Sequence, residues 1–461
     1  MAKETIVILL ALEGYLRNFI ESQAFGLLEK SYDICYLVVE GQIRKELLSK
    51  YNICRYEIIS QSKFRAEILR NYLILTMFKY SRIARGFRHK MFRLPRRKRW
   101  LYYFFSFPLL YYPIHFIFSQ FLPVWKELDA YLKRLKPSLI IMPSLAADTW
   151  TIDMINTAKK RGVKSLVLIN SWDNLVSKGV IPIAPDYLGV WGKQGVEQAL
   201  KVQRMPVRGI RVLGAPYFDI YFDRTKGYDE HEIYNMNDLH RNKKILLVAA
   251  SGLPFDELGL IKILDEEICA GKYKDFAILY RPHPWMVKRE DERHFSTYGF
   301  KNVFFDKQLE AYYNARFDEK GNFKTAEHVE LPALDYYPKL MKIVSGIISP
   351  LSTITLEGAL KGIPSVMICY SDDKNKFLPP NKVAEFEHVK DILEFPGVIP
   401  CFRKEELLSC VDKLVGIIDD RKIREKLSRA TEYVVYRDDR KYSQRLLEAV
   451  KQILKDNLER S

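Results

Sequence analysis

Cysteine is sparse in this 461-residue sequence, and no two cysteines are spaced to act together. The six cysteines include no C-x-x-C pair and are scattered over the chain as Cys35, Cys54, Cys269, Cys369, Cys401 and Cys410. A disulfide scaffold and a thiolate zinc site are therefore not expected, and a reducing compartment is favoured. We also expect no secretory signal at the N-terminus, because its apolar stretch is short and follows an acidic residue. We expect a buried strand there and a cytoplasmic protein.

Several familiar enzyme signatures are missing as well. The sequence has no P-loop, no G-x-G-x-x-G stretch, no Ser-His-Asp order and no His/Asp/Glu group with metal-ligand spacing. We therefore expect no metal site and no cofactor. The composition, with 48% hydrophobic and 28% charged residues, is ordinary for a folded protein. The length is too great for one compact core and predicts two or three domains.

Acidic residues are absent between Glu67 and Glu127, which makes the net charge of +16 a local property. That gap holds twelve basic residues, and without them the rest of the chain would carry only +4. The twelve are Arg70, Lys79, Arg82, Arg85, Arg88, Lys90, Arg93, Arg96, Arg97, Lys98, Arg99 and Lys126. The excess positive charge therefore belongs to one patch.

An apolar, aromatic run at residues 100–125 follows this basic cluster directly and is interrupted by Pro108, Pro113 and Pro123. A single membrane span is rejected, because it would separate the strands at 6–12 and 138–142, which should share one sheet. The favoured interpretation is an element at the surface of an anionic membrane, with aromatic rings at headgroup depth. A helical insertion buried inside the domain is the alternative. Single-stranded nucleic acid suits such residues too, but no known motif accompanies them, so we expect no nucleic-acid partner.

Short apolar strands alternate with helical stretches along most of the chain, which predicts parallel α/β layers. The strands predicted in the first half are 6–12, 34–39, 55–59, 138–142, 165–169 and 187–191. The strands predicted in the second half are 244–251, 276–280, 302–305, 343–348 and 365–369. Helical patterns are predicted at 16–30, 42–50 and 146–161. The long stretch 306–339 is predicted to be an insertion or lid.

We therefore predict two doubly wound, Rossmann-like domains facing a cleft, with a helical C-terminal tail. The N-terminal domain is placed at 1–222, with the basic and aromatic insertion at about 64–126. A polar, turn-rich connector is placed at 223–243, the C-terminal domain at 244–440 and a final helix at 441–461. This arrangement resembles the GT-B architecture of nucleotide-sugar transferases.

Candidate site residues come first from the strand ends, because ligands of open α/β sheets lie beyond the carboxyl ends of the strands. In the C-terminal domain, the strand 276–280 leads into Arg281, Pro282, His283 and Pro284. The prolines stiffen this turn. An arginine suits bidentate phosphate contact, and a histidine can donate to phosphate or to a departing oxygen. The alternative is a rigid turn with a packed histidine and a solvated arginine.

Hydroxyl residues follow the strand 343–348, where Ser349, Ser352 and Thr353 precede a predicted helix. A helix N-terminus presents unpaired N–H groups to an anion, although plain capping explains the same residues. Glu357, about one turn later, is placed to accept ribose hydroxyls. Ser251 and Gly252 form a weaker candidate phosphate loop. These residues together predict a nucleotide phosphate site.

Carboxylates follow two strands of the N-terminal domain and are candidates for a general base. Asp173 lies after the strand 165–169, beside Trp172, Asn174 and Lys178, which we assign to acceptor binding. An Asx-type turn with a core tryptophan is the alternative.

Glu13 follows the first strand and is the second candidate base. Arg17 and Asn18 are added to the acceptor residues. Capping of a helix by an acidic first turn would explain Glu13 equally well. Asp148 is a weaker third carboxylate.

These motifs, taken in order over residues 138–370, resemble those of the CDP-glycerol glycerophosphotransferases of teichoic acid synthesis. Residues 171–178 occupy the place of that family's Thr-Trp-His-Gly-Thr-Pro-Leu-Lys stretch, and residues 214–219 resemble its Gly-Asn-Pro-Arg-x-Asp. Its Arg-x-His-Pro is similar to 281–284, and its Asp-Tyr-Ser-Ser turn to 350–353. Bacterial sialyltransferases and capsular Kdo transferases share a similar His-Pro and Ser/Thr pair, which holds the phosphate of a CMP-sugar.

The family's basic histidine is replaced here by Asp173. A carboxylate base is common among inverting sugar transferases of this fold, so the substitution favours glycosyl transfer over glycerophosphate transfer. The resemblance implies a metal-independent glycosyltransferase of cell-surface glycan synthesis, at the cytoplasmic face of the membrane. Its donor would be a CMP-, CDP- or UDP-linked sugar, and its acceptor a glycan or a lipid-linked glycan. A glycerophosphotransferase, a nucleotide-sugar 2-epimerase and a membrane-recruited protein without catalytic activity are the alternatives.

Overall fold

The computed structural model describes residues 3–223, 227, 229–252, 254–283, 295–314, 332–375 and 378–458. The chain forms two compact units. The first unit contains Met1–Asp219 and Glu432–Ser461, and the second contains Ile220–Thr431. The second unit is thus an insertion in the sequence of the first.

The C-terminal helix belongs to the first unit, whereas the sequence predicts a C-terminal domain that continues to residue 440 and a separate final helix. Tyr442–Leu458 packs against the helix Gly26–Ser31. Leu446, Val450 and Ile453 of this helix are fully buried in the core of the first unit. Burial of this apolar face explains why the boundary falls at residue 431.

The predicted connector at 223–243 is also structured in its described part. Its helix Glu230–Met236 packs against the helix Tyr336–Ile343 of the second unit, with Ile233 buried between polar neighbours. The predicted insertion at 306–339 contributes the helix Lys307–Asn314 and the start of Tyr336–Ile343. Its residues 315–331 lie outside the described part of the chain.

The first unit contains a parallel sheet, with seven strands among the described residues, in the order β3-β2-β1-β4-β5-β6-β7. Its strands are β1 (Thr5–Leu10), β2 (Asp33–Val39), β3 (Tyr56–Ile59), β4 (Leu139–Ser144), β5 (Lys164–Ile169), β6 (Tyr187–Val190) and β7 (Ile210–Val212). β1 pairs with both β2 and β4, for example Ile6 with Ile34 and with Leu139. The strand order therefore reverses between β1 and β4.

Helices and helical turns connect the strands of the first unit. In its N-terminal part they are Glu13–Tyr15, the π-helical turn Leu16–Glu21, Gly26–Ser31, Lys45–Lys50, Lys63–Tyr80, Arg85–Phe87, Arg88–Phe92, Arg96–Phe105, Pro108–Phe121 and Lys126–Leu135. After β4 they are Thr149–Lys160, the π-helical turn Asn174–Lys178, Lys193–Lys201, Val207–Gly209, Pro216–Phe218 and Tyr442–Leu458. Asp219–Phe222 carries the chain from the first unit into the second.

The second unit contains a parallel sheet, with six strands in the described residues, in the order β10-β9-β8-β11-β12-β13. Its strands are β8 (Lys244–Ala249), β9 (Phe276–Arg281), β10 (Val303–Phe305), β11 (Val344–Pro350), β12 (Ser365–Ile368) and β13 (Val398–Cys401). β8 pairs with both β9 and β11, so the order reverses between β8 and β11.

The helices of the second unit complete its layers. They are Glu230–Met236, Glu257–Cys269, Phe295–Tyr298, Lys307–Asn314, Tyr336–Ile343, Thr353–Leu360, Pro380–Val383, Glu387–Leu393, Lys404–Glu406, Leu407–Ile417 and Arg421–Ala430. The turn Thr431–Tyr433 returns the chain to the first unit. The central strands β8 and β9 are buried along almost their whole length, as expected where helices cover both faces of a parallel sheet.

Candidate functional site

The ends of β8 and β9 bring Ser251, Gly252 and His283 of the second unit together. Gly252 lies so close to the imidazole that a Cβ on it would be 3.1 Å from His283 Cε1 and 3.4 Å from Nδ1. Because Gly252 has no side chain, the imidazole of His283 can lie against the backbone of the loop that follows β8. Ser251 is buried and His283 is half-buried. Pro284, the next predicted site residue, lies outside the described residues.

The helix Thr353–Leu360 begins at the end of β11, beside the point where the strand order reverses. Ser352 is its N-cap residue in extended conformation, but the Ser352 side chain makes no capping hydrogen bond. Ser352 and Thr353 are both half-buried. The N–H groups of the first turn and the positive end of the helix dipole are therefore not satisfied by the serine hydroxyl. The predicted capping by Ser352 does not occur.

Ser349 has a structural role, and its predicted contact with the donor remains a prediction. Its side chain is fully buried in β11. The hydroxyl oxygen lies 2.8 Å from the carbonyl oxygen of Ala249 and 2.6 Å from that of Pro350. A hydroxyl has one proton to donate, so Ser349 is occupied in tying β11 to β8.

Arg281 is buried beneath the sheet edge, and its Nε and Nη2 donate to Tyr337 Oη at 3.1 and 2.5 Å. Two guanidinium nitrogens are thus bound to one tyrosine oxygen, and the predicted phosphate contact of Arg281 remains a prediction. The guanidinium also stacks on the Tyr337 ring, 4.7 Å from its centroid. Burial opposes the charge, but Tyr337, Asp306 and Glu357 raise the pKa of Arg281 above its usual value. Arg281 is thus a buried cation, and its charge lies close to Tyr337, Asp306 and Glu357.

Asp306 is the acidic partner in this buried cluster, and the sequence analysis did not select it. It follows β10 directly, is fully buried, and accepts a hydrogen bond from Tyr336 Oη. Burial raises the pKa of Asp306, while Tyr336 and the charge of Arg281 act against that rise. Asp306 could have been selected from the sequence, because it follows a strand and ligands of open α/β sheets lie beyond the carboxyl ends of the strands.

Glu357 lies in the helix Thr353–Leu360 and is half-buried. Tyr221 Oη donates a hydrogen bond to Glu357 Oε2. The Glu357 carboxylate also helps to hold the proton on Arg281, so the two residues are electrostatic neighbours. The predicted contact with ribose hydroxyls remains a prediction, and Tyr221 is an additional residue at this position.

In the first unit, the loop after β5 folds back on itself around Asp173. The Asp173 carboxylate accepts from Asn174 Nδ2 at 3.2 Å and from Ser177 Oγ at 3.0 Å, and Lys178 Nζ lies 3.3 Å from Oδ2. The Asp173 side chain is only 16% exposed. Its oxygens are thus held in place by residues of its own loop.

Asn174 has a structural role in its own loop, and its predicted contact with an acceptor remains a prediction. Its side chain is fully buried, Oδ1 accepts from the Ser171 N–H at 2.8 Å, and Nδ2 donates to Asp173. The bond to Oδ1 comes from the N–H three residues earlier, whereas the side chain in an Asx turn accepts from the N–H two residues later. Trp172, the neighbouring residue, is half-buried. Lys178, with half of its side chain exposed, pairs with Asp173.

The loop after β1 contacts the loop after β5 through two asparagines. Asn18 Nδ2 donates to Asn170 Oδ1 at 2.9 Å, and Arg17 Nη1 lies 3.4 Å from Asn18 Oδ1. Arg17, Asn18 and the Asp173 loop therefore belong to one edge of the first sheet. Asn170, which provides this link, was not selected from the sequence.

Glu13 forms a bidentate pair with Arg44. Arg44 Nε and Nη2 donate to the two Glu13 carboxylate oxygens at 2.8 and 3.2 Å, and the Arg44 N–H donates to Oε1 at 3.2 Å. Both side chains are about one-third exposed. The contact joins the β1 loop to the start of the helix Lys45–Lys50, which gives Glu13 a structural role alongside its predicted catalytic one.

Asp148 lies nearest the reversal of strand order in the first sheet, after β4. Its Oδ1 accepts from the Thr151 N–H at 2.7 Å as an N-cap, and Oδ2 accepts from Ser144 Oγ at 2.9 Å. Burial raises the pKa of Asp148, against the effect of these hydrogen bonds. The neighbouring Tyr15 is fully buried, and its pKa is raised by burial and by the charge of Asp148.

Gly179 fixes the shape of this same edge. A Cβ at Gly179 would lie 2.0 Å from the Ala146 carbonyl oxygen, so the loops after β4 and β5 touch backbone to backbone. Ala146 adopts a left-handed conformation with φ of 57°, which is unfavourable for a residue with a Cβ. The edge of the first sheet is therefore closely packed.

The stretch 214–219, which resembles a transferase motif, holds the C-terminal helix. Gly214 has φ of 80°, and a Cβ there would lie 2.5 Å from the Tyr436 carbonyl oxygen. Asp219 Oδ1 accepts from Arg445 Nη2 at 3.1 Å, and Arg445 Nε donates to the Leu213 carbonyl oxygen at 2.8 Å. These contacts explain why a glycine occurs at position 214 and an aspartate at position 219, and they do so without involving a ligand.

No group of three or more His, Cys, Asp or Glu residues with metal-site geometry occurs within the described ranges. A metal-independent reaction is therefore compatible with the residues that the structure describes, although it remains a prediction.

Comparisons with solved structures identify the fold. The chain is similar to the UDP-N-acetylglucosamine 2-epimerase from Rickettsia bellii, with 12% identity, a TM-score of 0.52, and coverage of 100% of this chain and 99% of that one. It is similar to the calicheamicin glycosyltransferase CalG4, with 10% identity, a TM-score of 0.51 and coverage of 99% of each chain. A complex of S. aureus MnaA with UDP has 12% identity, a TM-score of 0.50, and coverage of 98% and 97%.

These likenesses define the class of fold. The chain has the GT-B fold, with two parallel α/β units and a helical C-terminal region, as the sequence analysis predicts. No protein-family model and no curated protein sequence matches the chain. At 10 to 13% identity, the similarity is one of fold.

Proposed function

We propose that this chain is a glycosyltransferase that moves a sugar from a nucleotide-activated donor to a glycan or lipid-linked acceptor. The observation that carries the proposal is the carboxyl edge of the second sheet. There, the helix Thr353–Leu360 begins beside the reversal of strand order without a cap from the Ser352 side chain, and His283 lies against Gly252 on the neighbouring loops. Ligands of open α/β sheets bind at such reversals.

The proposed donor site uses Ser352, Thr353 and His283 for the phosphates. The first N–H groups of the helix would bind phosphate oxygens, and the helix dipole would favour their negative charge. His283 would donate to the phosphate oxygen that becomes more negative as the nucleotide departs. Arg281 acts from beneath through its positive charge, since Tyr337 occupies Nε and Nη2. Glu357 is proposed to bind the ribose.

The acceptor hydroxyl would lose its proton to Asp173, with Glu13 as the second candidate. Asp173 is held by Ser177 and Lys178, which fix the direction of its oxygens. Trp172, next in the chain, would pack on the acceptor sugar. Glu13 is the weaker candidate because Arg44 binds both of its oxygens.

Epimerisation of a nucleotide sugar is the second candidate reaction, because the similar structures include 2-epimerases as well as glycosyltransferases. Transfer is favoured because two helices of the first unit carry a large exposed aromatic surface. A reaction on a soluble nucleotide sugar does not require such a surface. Product analysis separates the two. An epimerase converts the nucleotide sugar when no acceptor is present, whereas a transferase releases nucleotide in proportion to glycosylated acceptor. A glycerophosphotransferase would instead use CDP-glycerol.

The donor site is tested by thermal unfolding with CMP, CDP, UDP, GDP and dTDP. A nucleotide at 100 times its dissociation constant stabilises the folded state by about 2.7 kcal/mol. We expect one of the cytidine or uridine nucleotides to raise the melting temperature, and His283→Ala to remove most of that rise. His231→Ala, at an exposed helix position, is the matched control. A wild-type protein that responds to none of the five would contradict the proposal and leave a protein without a nucleotide site.

The base is tested separately, once a donor is known. Asp173→Asn should lower turnover by about 100-fold or more while the nucleotide-induced stabilisation persists. Glu13→Gln should have a smaller effect on turnover. Equal turnover of Asp173→Asn and wild type would remove Asp173 from the reaction.

A further inference from the structure

A large aromatic surface covers two consecutive helices of the first unit, Arg96–Phe105 and Pro108–Phe121. The first of these helices has no buried residue, and the second buries only Tyr111. We define the aromatic face by its exposed side chains, which are Trp100, Leu101, Tyr103, Phe104, Phe105, Phe107, Leu109, Tyr112, Phe116, Ile117 and Phe121. Trp100 is 76% exposed and Leu109 is 89% exposed. So many exposed apolar side chains on two neighbouring helices mark an interaction site.

The opposite side of the same helices is packed on the helix Lys63–Tyr80. The Tyr72 hydroxyl lies 2.6 Å from His115 Nδ1, and the Tyr72 ring stacks on Phe118 at 4.4 Å. Tyr102 Oη donates to Asn71 Oδ1 at 2.6 Å. The pair of helices is therefore anchored to the unit, and the predicted alternative of an insertion buried inside the domain does not occur.

Positive charge borders the aromatic face. Exposed arginines and lysines lie in the turns and helices that precede it and continue into its first helix; they are Arg82, Arg85, Arg88, Arg93, Arg96, Arg97 and Lys98. The sequence from residue 68 to residue 126 contains no acidic residue. A partner of this surface must therefore offer both negative charge and an apolar layer.

Each of the two helices is too short to cross a membrane on its own, with 10 and 14 residues. No single helix within the described part of the chain is long and apolar enough to cross a membrane, although this pair meets the length and hydropathy criteria together. The pair is bent by 86° between Phe105 and Pro108. One side of this pair of helices packs on the helix Lys63–Tyr80. The exposed side chains therefore face away from that helix.

We propose that the aromatic face docks on the surface of an anionic phospholipid bilayer. Trp100, Phe104 and Leu109 enter the boundary between headgroups and acyl chains, and the arginines contact lipid phosphates. The proposal goes beyond glycosyl transfer and does not depend on it, since binding to vesicles requires neither donor nor acceptor. In a bacterial or eukaryotic cell the corresponding site would be the inner face of a membrane, where anionic lipids attract basic segments.

Two other partners fit less well. A second copy of the chain would bring the same basic residues face to face, and like charges oppose that contact. Single-stranded nucleic acid would neutralise the arginines and stack on aromatic rings, but it would leave Leu109 and Ile117 in water. A bilayer satisfies the charge and covers the aliphatic residues as well.

The test measures co-sedimentation of the full chain with vesicles of phosphatidylcholine alone and of phosphatidylcholine with phosphatidylglycerol. We expect binding to the anionic vesicles and weaker binding as salt is added. The triple variant Trp100→Ser, Leu109→Ser, Phe121→Ser should bind at least about tenfold more weakly. Replacement of Arg96, Arg97 and Lys98 by glutamine should lower binding by about a hundredfold. All six positions are exposed, so the unfolding temperature should be unchanged.

Matched controls and a second readout keep the test sharp. Val207→Ser and Phe402→Ser remove apolar groups that are similarly exposed elsewhere, and binding should be retained. Brominated phosphatidylglycerol should quench tryptophan fluorescence, and Trp100→Phe should remove that quenching. Wild-type protein that fails to bind anionic vesicles would overturn the proposal. So would tight binding of an oligonucleotide without vesicle binding, or a dimer that the triple variant abolishes.

Discussion

The carboxyl edges of the two sheets differ in what their described polar side chains contact. In the first sheet, Asp173, Asn174 and Glu13 all accept or donate hydrogen bonds within or between their own loops. In the second sheet, Ser352 begins a helix without capping it, and Gly252 leaves the imidazole of His283 in contact with backbone. The two edges follow the same strand topology but are built differently.

This difference assigns different roles to the two units. A closely packed edge positions a few side chains rigidly, as a base or an acceptor platform requires. An edge with an uncapped helix start is suited to bind an anion that completes its hydrogen bonds. We therefore expect substitutions at the first edge to affect stability, and substitutions at the second edge to affect nucleotide binding.

The largest contrast is expected between two glycines that become alanines. Gly179→Ala would place a Cβ 2.0 Å from the Ala146 carbonyl oxygen, and we expect it to lower the free energy of unfolding by about 3 kcal/mol or more. Gly252→Ala would place a Cβ 3.1 Å from an imidazole carbon, which a side chain can relieve by a small rotation. Its cost should be below about 1 kcal/mol, with clearly weakened nucleotide binding.

Denaturant titration and nucleotide-dependent melting of both variants check this contrast. If Gly252→Ala lost as much stability as Gly179→Ala, the second edge would be as closely packed as the first. If it bound nucleotide like wild type, Gly252 and His283 would not belong to the donor site.

A smaller contrast is expected between two polar residues. Asn174→Ala removes the acceptor of the Ser171 N–H in a buried loop and should cost about 1 to 3 kcal/mol. Ser352→Ala should cost less than about 0.5 kcal/mol, because its side chain makes no capping hydrogen bond. Replacement of a helix-capping serine by alanine would lower the free energy of unfolding by about 1 kcal/mol in the same experiment. A loss of that size, measured by denaturant titration, would show that Ser352 caps the helix in solution.

The smallest effect expected concerns the pH dependence contributed by Asp148. Burial raises its folded pKa above the ordinary value of 3.8, so the folded state binds this proton more tightly than the unfolded state. Its contribution to stability is therefore greatest below the ordinary pKa and declines as the pH rises through the raised one. Asp148→Asn keeps an acceptor for Thr151 and should lack this decline.

The measurement is the free energy of unfolding of both proteins between about pH 4 and pH 7. The stability of Asp148→Asn relative to wild type should rise across this interval. A constant difference would show that the carboxyl of Asp148 has its ordinary pKa in the folded protein.

Most strands were predictable because each is a short apolar run bounded by polar turns. β7 and β13 were not among the predicted strands. β7 has only three residues, none of them fully buried, and β13 contains Pro400, which weakens the strand pattern. The predicted boundaries of the two units differ from those in the structure. The periodicity of a helix shows which of its faces is apolar, but it does not show which sheet covers that face.

The site was predicted at the level of strand ends, and less well at the level of single side chains. Arg281 lies at the predicted strand end, yet its guanidinium is directed to Tyr337, which is distant in sequence. Asn174 lies in the predicted loop, yet it serves the loop itself. Position along a parallel strand follows from the sequence pattern, whereas the partner of a buried polar group depends on tertiary contacts.

The return of the chain to the first unit also determines the order in which the protein is completed during synthesis. Residues 1–219 are synthesised before the second unit, but the helix that covers Gly26–Ser31 is synthesised after it. The second unit is contiguous and has its own core, so it can close while the first unit still lacks this helix. The core of the first unit can therefore be completed only after the second unit has been synthesised, and a premature stop before residue 442 would leave that core without the residues of this helix.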